Sequence, residues 1–266
     1  MKHHTPPDML SLLTKREPIL RAVDAAGVGK RELVDQLRIS RSTVDRGIRE
    51  LETAGLLARS PDGYRRTLLG ELLLSAYDQF ASQTETLLAG QQLLADLASD
   101  HTLDPIVFDG ATIVTASQHA PHQPISAFCS LLADARWTQT VCPAVFPQVV
   151  DQWVELCSQE MIRADIVLSE PAVSTLVGSH TDSLEALTDA SRVALHQVAE
   201  GPSCGLVLAE AEPKAKVAAT GGVVVLDDRG GARAFIETDA DEAVSWIRER
   251  INEQLLQSTP LSSDSL

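Results

Sequence analysis

Two short helical segments joined by a tight turn constrain this chain more than any other feature. They lie in RELVDQLRISRSTVDRGIRELETAGLL, Arg31 to Leu57. In the first, from about Lys30 to Leu37, Leu33, Val34 and Leu37 mark the side to be buried. In the second, Val44, Ile48 and Leu51 recur at i, i+4 and i+7, giving one apolar stripe. Arg38-Ile39-Ser40 leaves room only for a short turn, with Ile39 able to tuck between the helices. Ser40 is a good N-cap, Thr43 follows three residues on, and Gly55 closes the helix. The face opposite the stripe presents Arg41, Ser42, Thr43, Asp45, Arg46 and Arg49.

The flanks complete a small unit. An earlier helix is expected from a cap at Asp8 through LSLLTKREPILRAVDAA, with Leu12, Leu13, Ile19, Leu20 and Val23 toward the core. Pro18 is expected to bend or split it, and Gly27 and Gly29 to end it. After the helices, LLARSPDGYRRTLLG reads as two strands, Leu57 to Ser60 and Tyr64 to Thr67, around the turn Pro61-Asp62-Gly63. Arg59, Arg65 and Arg66 sit on this hairpin.

The arginines stand out because the chain as a whole is acidic, with 22 Lys+Arg against 37 Asp+Glu and a formal net charge of -15. Residues 1–70 hold 13 basic and 9 acidic side chains, a net of +4; residues 71–266 hold 9 and 28, a net of -19, and the two sum to -15. Two regions with different partners are implied, and nucleic-acid phosphate suits the first. Only five of the 22 basic residues are lysines. An acidic, lysine-poor surface is expected of a halophilic protein in a salt-rich cytoplasm; a merely acidic protein is the alternative.

At 266 residues, 44% hydrophobic but only 4% aromatic, the chain can build one large or two ordinary cores from Leu, Val, Ala and Ile. No apolar run reaches the length of a membrane span, and MKHHTPPDML lacks the apolar stretch of a signal peptide. A soluble, cytoplasmic protein with no membrane contact is expected. Cys129, Cys142, Cys157 and Cys204 form no C-x-x-C or other zinc spacing and read as small buried hydrophobes. Cys204, in the loop-like GPSCG, is the one most open to reaction.

Helix, helix, short turn, helix and basic hairpin is the order of a winged helix-turn-helix. The stretch resembles that family, whose microbial regulators often carry S-R-S-T-V-x-R-x-I-R-E-L-E-x-x-G-L-L. A helix entering the major groove needs an outward face of cations and hydrogen-bonding groups. Double-stranded DNA is then the expected partner. Ser42, Thr43 and Arg46 are best placed for base edges, Arg41 and Arg49 for phosphates, and Asp45 shares their face. The wing residues Arg59, Tyr64, Arg65 and Arg66 reach the backbone or the adjacent minor groove. The alternative is a solvated surface on a helical domain that docks protein.

Residues 68 to about 98 read as helical, with Leu72, Leu73, Ala76, Phe80, Leu87, Leu88, Leu93, Leu94 and Leu97 forming a broad apolar stripe broken at Gly90. Such a helix links a winged helix to its partner domain and packs against its twin in a dimer, or simply packs in its own subunit. From about Asp100 strands and helices alternate, ending in the helix EAVSWIRERINEQLL. Turns are expected at Gly201-Pro202, Glu212-Pro213 and Arg229-Gly230-Gly231. The fold class is α+β: an N-terminal winged helix-turn-helix over 1–70, a linker or dimerisation helix over 71–100, and an α/β effector domain with a central mixed sheet over 101–256. A disordered tail is expected over 257–266.

The short strand before Gly201, then GLVLAEA, a strand ending in LDDRGG and the Trp-containing DADEAVSWIRERI resemble the effector domain of archaeal, haloarchaeal-type winged-helix regulators first named for methanogenesis control. The resemblance implies a DNA-binding transcriptional regulator, a homodimer whose acidic domain senses a small-molecule effector or mediates assembly. That domain also looks like a relative of the phospholipase-D-type sheet. An enzyme of that type carries H-x-K, which occurs nowhere in this chain.

Other chemistry finds little footing. His119 and His122 form H-x-x-H in a proline-flanked loop with no third ligand to assign, and His180 and His196 stand apart. No nucleophile elbow occurs. Gly221-Gly222 and Gly230-Gly231 bound a strand, and Asp227-Asp228 reads as a solvated turn. No residue is assigned to catalysis, a metal or a cofactor. Two alternatives stay open: an enzyme acting on a small molecule through the C-terminal domain, with the winged helix as a targeting module, and a winged helix used only for protein contact.

Overall fold

Helices this short gain their stability by packing, and the first third of the chain shows how. A computed structural model describes residues 4–24, 27–96, 103–211 and 218–261. The chain divides into two units, residues 1–82 and 83–266, each with its own hydrophobic core. The first unit contains α1 (Pro6–Ala22), α2 (Lys30–Leu37), α3 (Arg41–Thr53), the strands β1 (Leu57–Ser60) and β2 (Gly63–Arg66), and the start of α4 (Leu68–Ala89). Leu20, Leu33, Ile48, Leu51 and Leu56 are fully buried at its centre.

Two local expectations for α1 change. Its N-cap is Thr5 rather than Asp8: Asp8 N donates to Thr5 Oγ1 at 3.4 Å and Asp8 Oδ2 accepts from Thr5 N at 3.2 Å. This reciprocal box satisfies two free donors, and Pro6 and Pro7 occupy first-turn positions that need no N–H. Pro18 does not split the helix, because Leu13, Ile19 and Leu20 hold both sides of it in the core. The hairpin gains a third backbone segment, in which Val28 and Tyr64 exchange hydrogen bonds of 2.8 and 3.0 Å. Gly63 permits this approach: its φ is +135°, and a Cβ there would strike the Val28 carbonyl.

The second unit takes up the rest of α4, then α5 (Gln91–Asp96), a 3₁₀ turn (Pro105–Phe108), β3 (Thr112–Thr115), α6 (Gln123–Asp134), β4 (Trp137–Cys142) and α7 (Pro147–Ser158). It continues through β5 (Arg163–Ser169), α8 (Glu170–Ser179), α9 (Thr181–Asp189), β6 (Val193–Val198), β7 (Cys204–Glu210) and β8 (Ala219–Leu226). It ends with β9 (Ala232–Thr238), α10 (Asp241–Gln257) and β10 (Thr259–Pro260). The strands form one mixed sheet in the order β10-β6-β5-β4-β7-β8-β9-β3. β4, β5 and β6 run parallel, and every other pairing is antiparallel. Alternation along the strands splits the core in two. Cys142, Ile166, Val207 and Val224 face the layer of α6 to α9, while Val141, Val167, Leu206 and Val223 face the layer of α10 and the 3₁₀ turn.

The tail is a correction. Thr259 and Pro260 pair with Gln197 and His196 of β6, and Leu261 N donates to Leu195 O at 2.9 Å with its side chain buried. A bare β6 edge would expose a row of backbone donors and acceptors, and this segment covers part of it. Residues 262–266 lie outside the described residues, as do the expected turn at Glu212-Pro213 and the helical expectation at Leu97. Gly90 separates α4 from α5 as expected. Leu72, Phe80 and Leu88 of the apolar stripe are exposed at 62%, 53% and 63%. Among the described residues no helix is long and apolar enough to cross a membrane.

Cys204 also departs from expectation, since it opens β7 and is buried instead of lying in a loop. Burial pushes its thiol up to about 11 and that of Cys142 up to about 12. Alkylation of the folded protein at pH 8 is expected to reach the half-buried Cys129 first and Cys142 last. Peptide mass spectrometry over time reads the order, and rapid loss of the Cys142 thiol would contradict this burial.

Candidate nucleic-acid interface

The helix α3 is fixed from beneath. Val44, Gly47, Ile48 and Leu51 are its buried residues. α1 comes so close at Gly47 that a Cβ there would collide with Ile19 Cδ1. At 100° per residue, the direction opposite this stripe is centred on Ser42, Arg46, Arg49 and Thr53, with Arg41 and Asp45 to one side. Arg41, Ser42, Thr43, Arg46 and Arg49 are all exposed. At the helix start Ser40 Oγ accepts from Thr43 N at 3.2 Å and lies 2.9 Å from Ser42 Oγ and 2.8 Å from Thr43 Oγ1. The two hydroxyls predicted to read bases thus also belong to the cap.

The predicted basic residues fall into two groups. Arg41, Arg46, Arg49 and Arg65 are exposed, and their side chains make no hydrogen bond or salt bridge with any described residue. They are free to take an outside anion. Arg59 instead bonds Glu52 Oε1 at 3.2 Å while 78% of its side chain remains exposed. Arg66 is half-buried, with its Nε enclosed and unpartnered, and its backbone N donates to Asp24 O at 3.3 Å.

Asp45 and Tyr64 belong to a third arrangement, centred on a residue the sequence reading passed over. Lys30 Nζ, at the start of α2, donates to Asp45 Oδ1 at 2.5 Å and stands 5.7 Å from the centre of the Tyr64 ring. The bond to Lys30 holds the Asp45 carboxyl below its ordinary range, and Asp45 holds the Lys30 ammonium above its own. One cation therefore touches α3 and the hairpin together. Arg16 is the other residue missed. Its side chain is 6% exposed, and Nε donates to Glu50 Oε2 at 2.7 Å, with Lys15 3.8 Å from the same carboxylate. Both pairs join residues far apart in sequence, so no periodicity announces them. Among the described residues no group of three or more His, Cys, Asp and Glu could hold a metal ion. His119 and His122 are exposed in the segment between β3 and α6.

These two units, a small basic-faced one of helices and a hairpin and a larger one built on a mixed sheet, define a two-part α+β protein. The family model described as methanogenesis regulatory protein FilR1, middle domain, matches residues 121–256. The model described as HVO_A0261 N-terminal domain matches residues 7–88. The chain belongs to the family of the FilR1 middle domain.

No curated protein matches the chain. Among solved structures it is similar to TrmBL2, described as an archaeal chromatin protein with a novel mode of DNA binding: 14% identity, 97% of this chain and 100% of that one covered, TM-score 0.44. It is also similar to NucT from Helicobacter pylori (6% identity, 57% and 98% covered, TM-score 0.43). A phospholipase D family member, Nuc from Salmonella typhimurium, gives 8% identity, 57% and 99% covered, and TM-score 0.43. All three TM-scores are below 0.5, too low to carry an argument about activity.

Glu50→Gln is expected to destabilise the first unit by about 1–3 kcal/mol, because it leaves the buried Arg16 guanidinium without its anion. The bond to Arg16 holds the Glu50 carboxyl below its ordinary value of 4.5. A folded value below the unfolded one gives stability that is complete above about pH 4.5 and lost as pH falls through the folded value. Urea unfolding of both proteins from pH 7 to pH 3 tests this. The difference between them should shrink toward the acid end.

Proposed function

We propose that the protein is a sequence-specific, DNA-binding transcriptional regulator whose residues 1–70 act as a winged helix-turn-helix. The observation that carries this reading is the outward face of α3, where Arg41, Arg46 and Arg49 stand exposed and unpaired in a protein of net charge -15. Most of its carboxylates lie elsewhere, and the side chains of these arginines form no salt bridge with a described residue. Membership of a regulatory-protein family supports the same reading.

In this reading α3 enters the major groove, with Arg46 and Ser42 toward base edges and Arg41 and Arg49 toward the phosphates on either side. Arg65 is the wing's free cation, on the opposite face of the hairpin from Arg59 and Arg66. Asp45 and Tyr64 keep their place at the interface through Lys30, which sets the angle between helix and wing. The second unit senses a small molecule or mediates assembly, and shifts the balance between states of different operator affinity. A salt-rich cytoplasm, which the acidic composition suits, makes base contacts matter more because phosphate contacts weaken steeply with salt.

Arg46→Ala is expected to weaken operator binding by about 1–3 kcal/mol and to relax base preference. Arg65→Ala should weaken binding evenly across sequences and lower the salt slope by about one. Fluorescence anisotropy over a salt series, on sites recovered by genomic pulldown, separates the two effects. Unchanged affinity in both variants would place the reading face elsewhere, and a pulldown without enriched sites would remove the regulator claim.

A homodimer supplies two such heads. The exposed Leu68, Leu69 and Leu72 at the start of α4 are the surface we assign to the partner copy, since Leu68 and Leu72 follow each other at i, i+4. Leu72→Glu should shift sedimentation toward the monomer while leaving the folded state intact.

A further inference from the structure

The cavity that bears on sensing lies within the second unit, between the sheet and the layer of α7 to α9. Its inner wall includes Thr140 and Cys142 of β4, Ile166 and Leu168 of β5, and Trp153 of α7. In open α/β sheets the crevice beyond the carboxyl ends of parallel strands is the usual place for a ligand. This one lies at the carboxyl ends of β4 and β5, where β4 has a parallel neighbour on one side and the antiparallel β7 on the other.

Its polar equipment is sparse and specific. Trp153 is 3% exposed and lines the cavity, and its Nε1–H is buried with no hydrogen-bond partner among the described residues. A buried donor left unsatisfied is uncommon in a folded protein and needs a reason. Thr138 Oγ1 donates to Leu208 O at 2.9 Å, so in its 3.3 Å contact with Thr140 it is the Thr140 hydroxyl that donates. That leaves lone pairs on Thr140 Oγ1. Among the described residues no charged one lines the cavity, so an ionised occupant would find no counter-charge among them.

As it stands the cavity measures about 20 Å³, room for about one water. A larger occupant has to widen it, and the segment placed to give way is Pro143 to Phe146, four apolar residues that line the cavity while remaining only half-buried. They join β4 to α7, and Ser169 Oγ holds the segment by donating to Pro143 O at 3.0 Å.

We infer that this cavity is the effector site, and that it takes an uncharged, mainly apolar small molecule carrying one hydrogen-bond acceptor for Trp153 Nε1. The inference rests on the sensor reading of the second unit and adds the ligand's chemical class. Binding opens the Pro143–Phe146 segment at the head of α7, which is how occupancy becomes a change of shape.

The test uses the full chain and three probes of similar size: acetophenone, which carries a carbonyl acceptor; ethylbenzene, which lacks one; and benzoate, which is charged. The chain's three tryptophans give three indole N–H resonances. Trp153→Phe assigns the relevant one, and Trp137→Phe with Trp246→Phe assigns it by elimination if that variant does not fold. Acetophenone should move the Trp153 resonance saturably, ethylbenzene should bind about tenfold more weakly, and benzoate should leave it in place. Trp153→Phe should bring the two neutral probes level. No saturable movement, equal movement at all three tryptophans, or binding of benzoate as strong as acetophenone overturns the site. DNA binding of the same preparation is measured alongside. A silent titration from DNA-binding protein therefore removes this site and leaves the regulator reading in place.

Discussion

The contact of α1 with α3 at Gly47 determines what the first unit can show to its surroundings. Ile19 fills the space a side chain at Gly47 would need, and Val44, Ile48 and Leu51 follow it into the core. Once that side of α3 is committed, the helical repeat leaves no choice about where Arg46 and Arg49 point. The bond from Arg16 to Glu50 fixes the same junction from its edge. A buried guanidinium is costly unless paired, so this pair gives the two helices one favoured register. The outward chemistry of the unit thus follows from its inward packing.

Charge is distributed by a similar logic. A carboxylate that shares the face of α3, Asp45, is bound by Lys30 and so does not oppose the neighbouring arginines at full strength. Glu52 holds Arg59, and Glu50 holds Arg16. Glu17 and Asp78 likewise hold Arg21, and the cations left without a salt bridge to a described residue include Arg41, Arg46 and Arg49 of the exposed face.

Much of this was legible in the sequence because it is local. The stripe in α3, the Ser40 cap, the hairpin turn and the order of strands and helices after Asp100 each rest on residues within one or two turns of one another. What escaped depends on distant partners. Lys30 and Asp45 are fifteen residues apart and Arg16 and Glu50 thirty-four, and no repeat in the sequence links either pair. Thr5 was missed as a cap because Asp8, also a good cap, lies just beyond it, while the reciprocal box needs both. Cys204 reads as a loop residue beside Gly201-Pro202, yet pairing with β8 draws it into a strand. The unpartnered Trp153 could not be read at all, because only the packing around α7 and β4 shows that no described residue meets its N–H.

The short β10 has an effect out of proportion to its length. It occupies the edge of β6 with two residues, one of them Pro260, which has no N–H to offer. A strand arriving from another molecule would find that border partly occupied, with Pro260 breaking the run of donors. On that flank the large sheet is thereby a poorer seed for fibrous stacking.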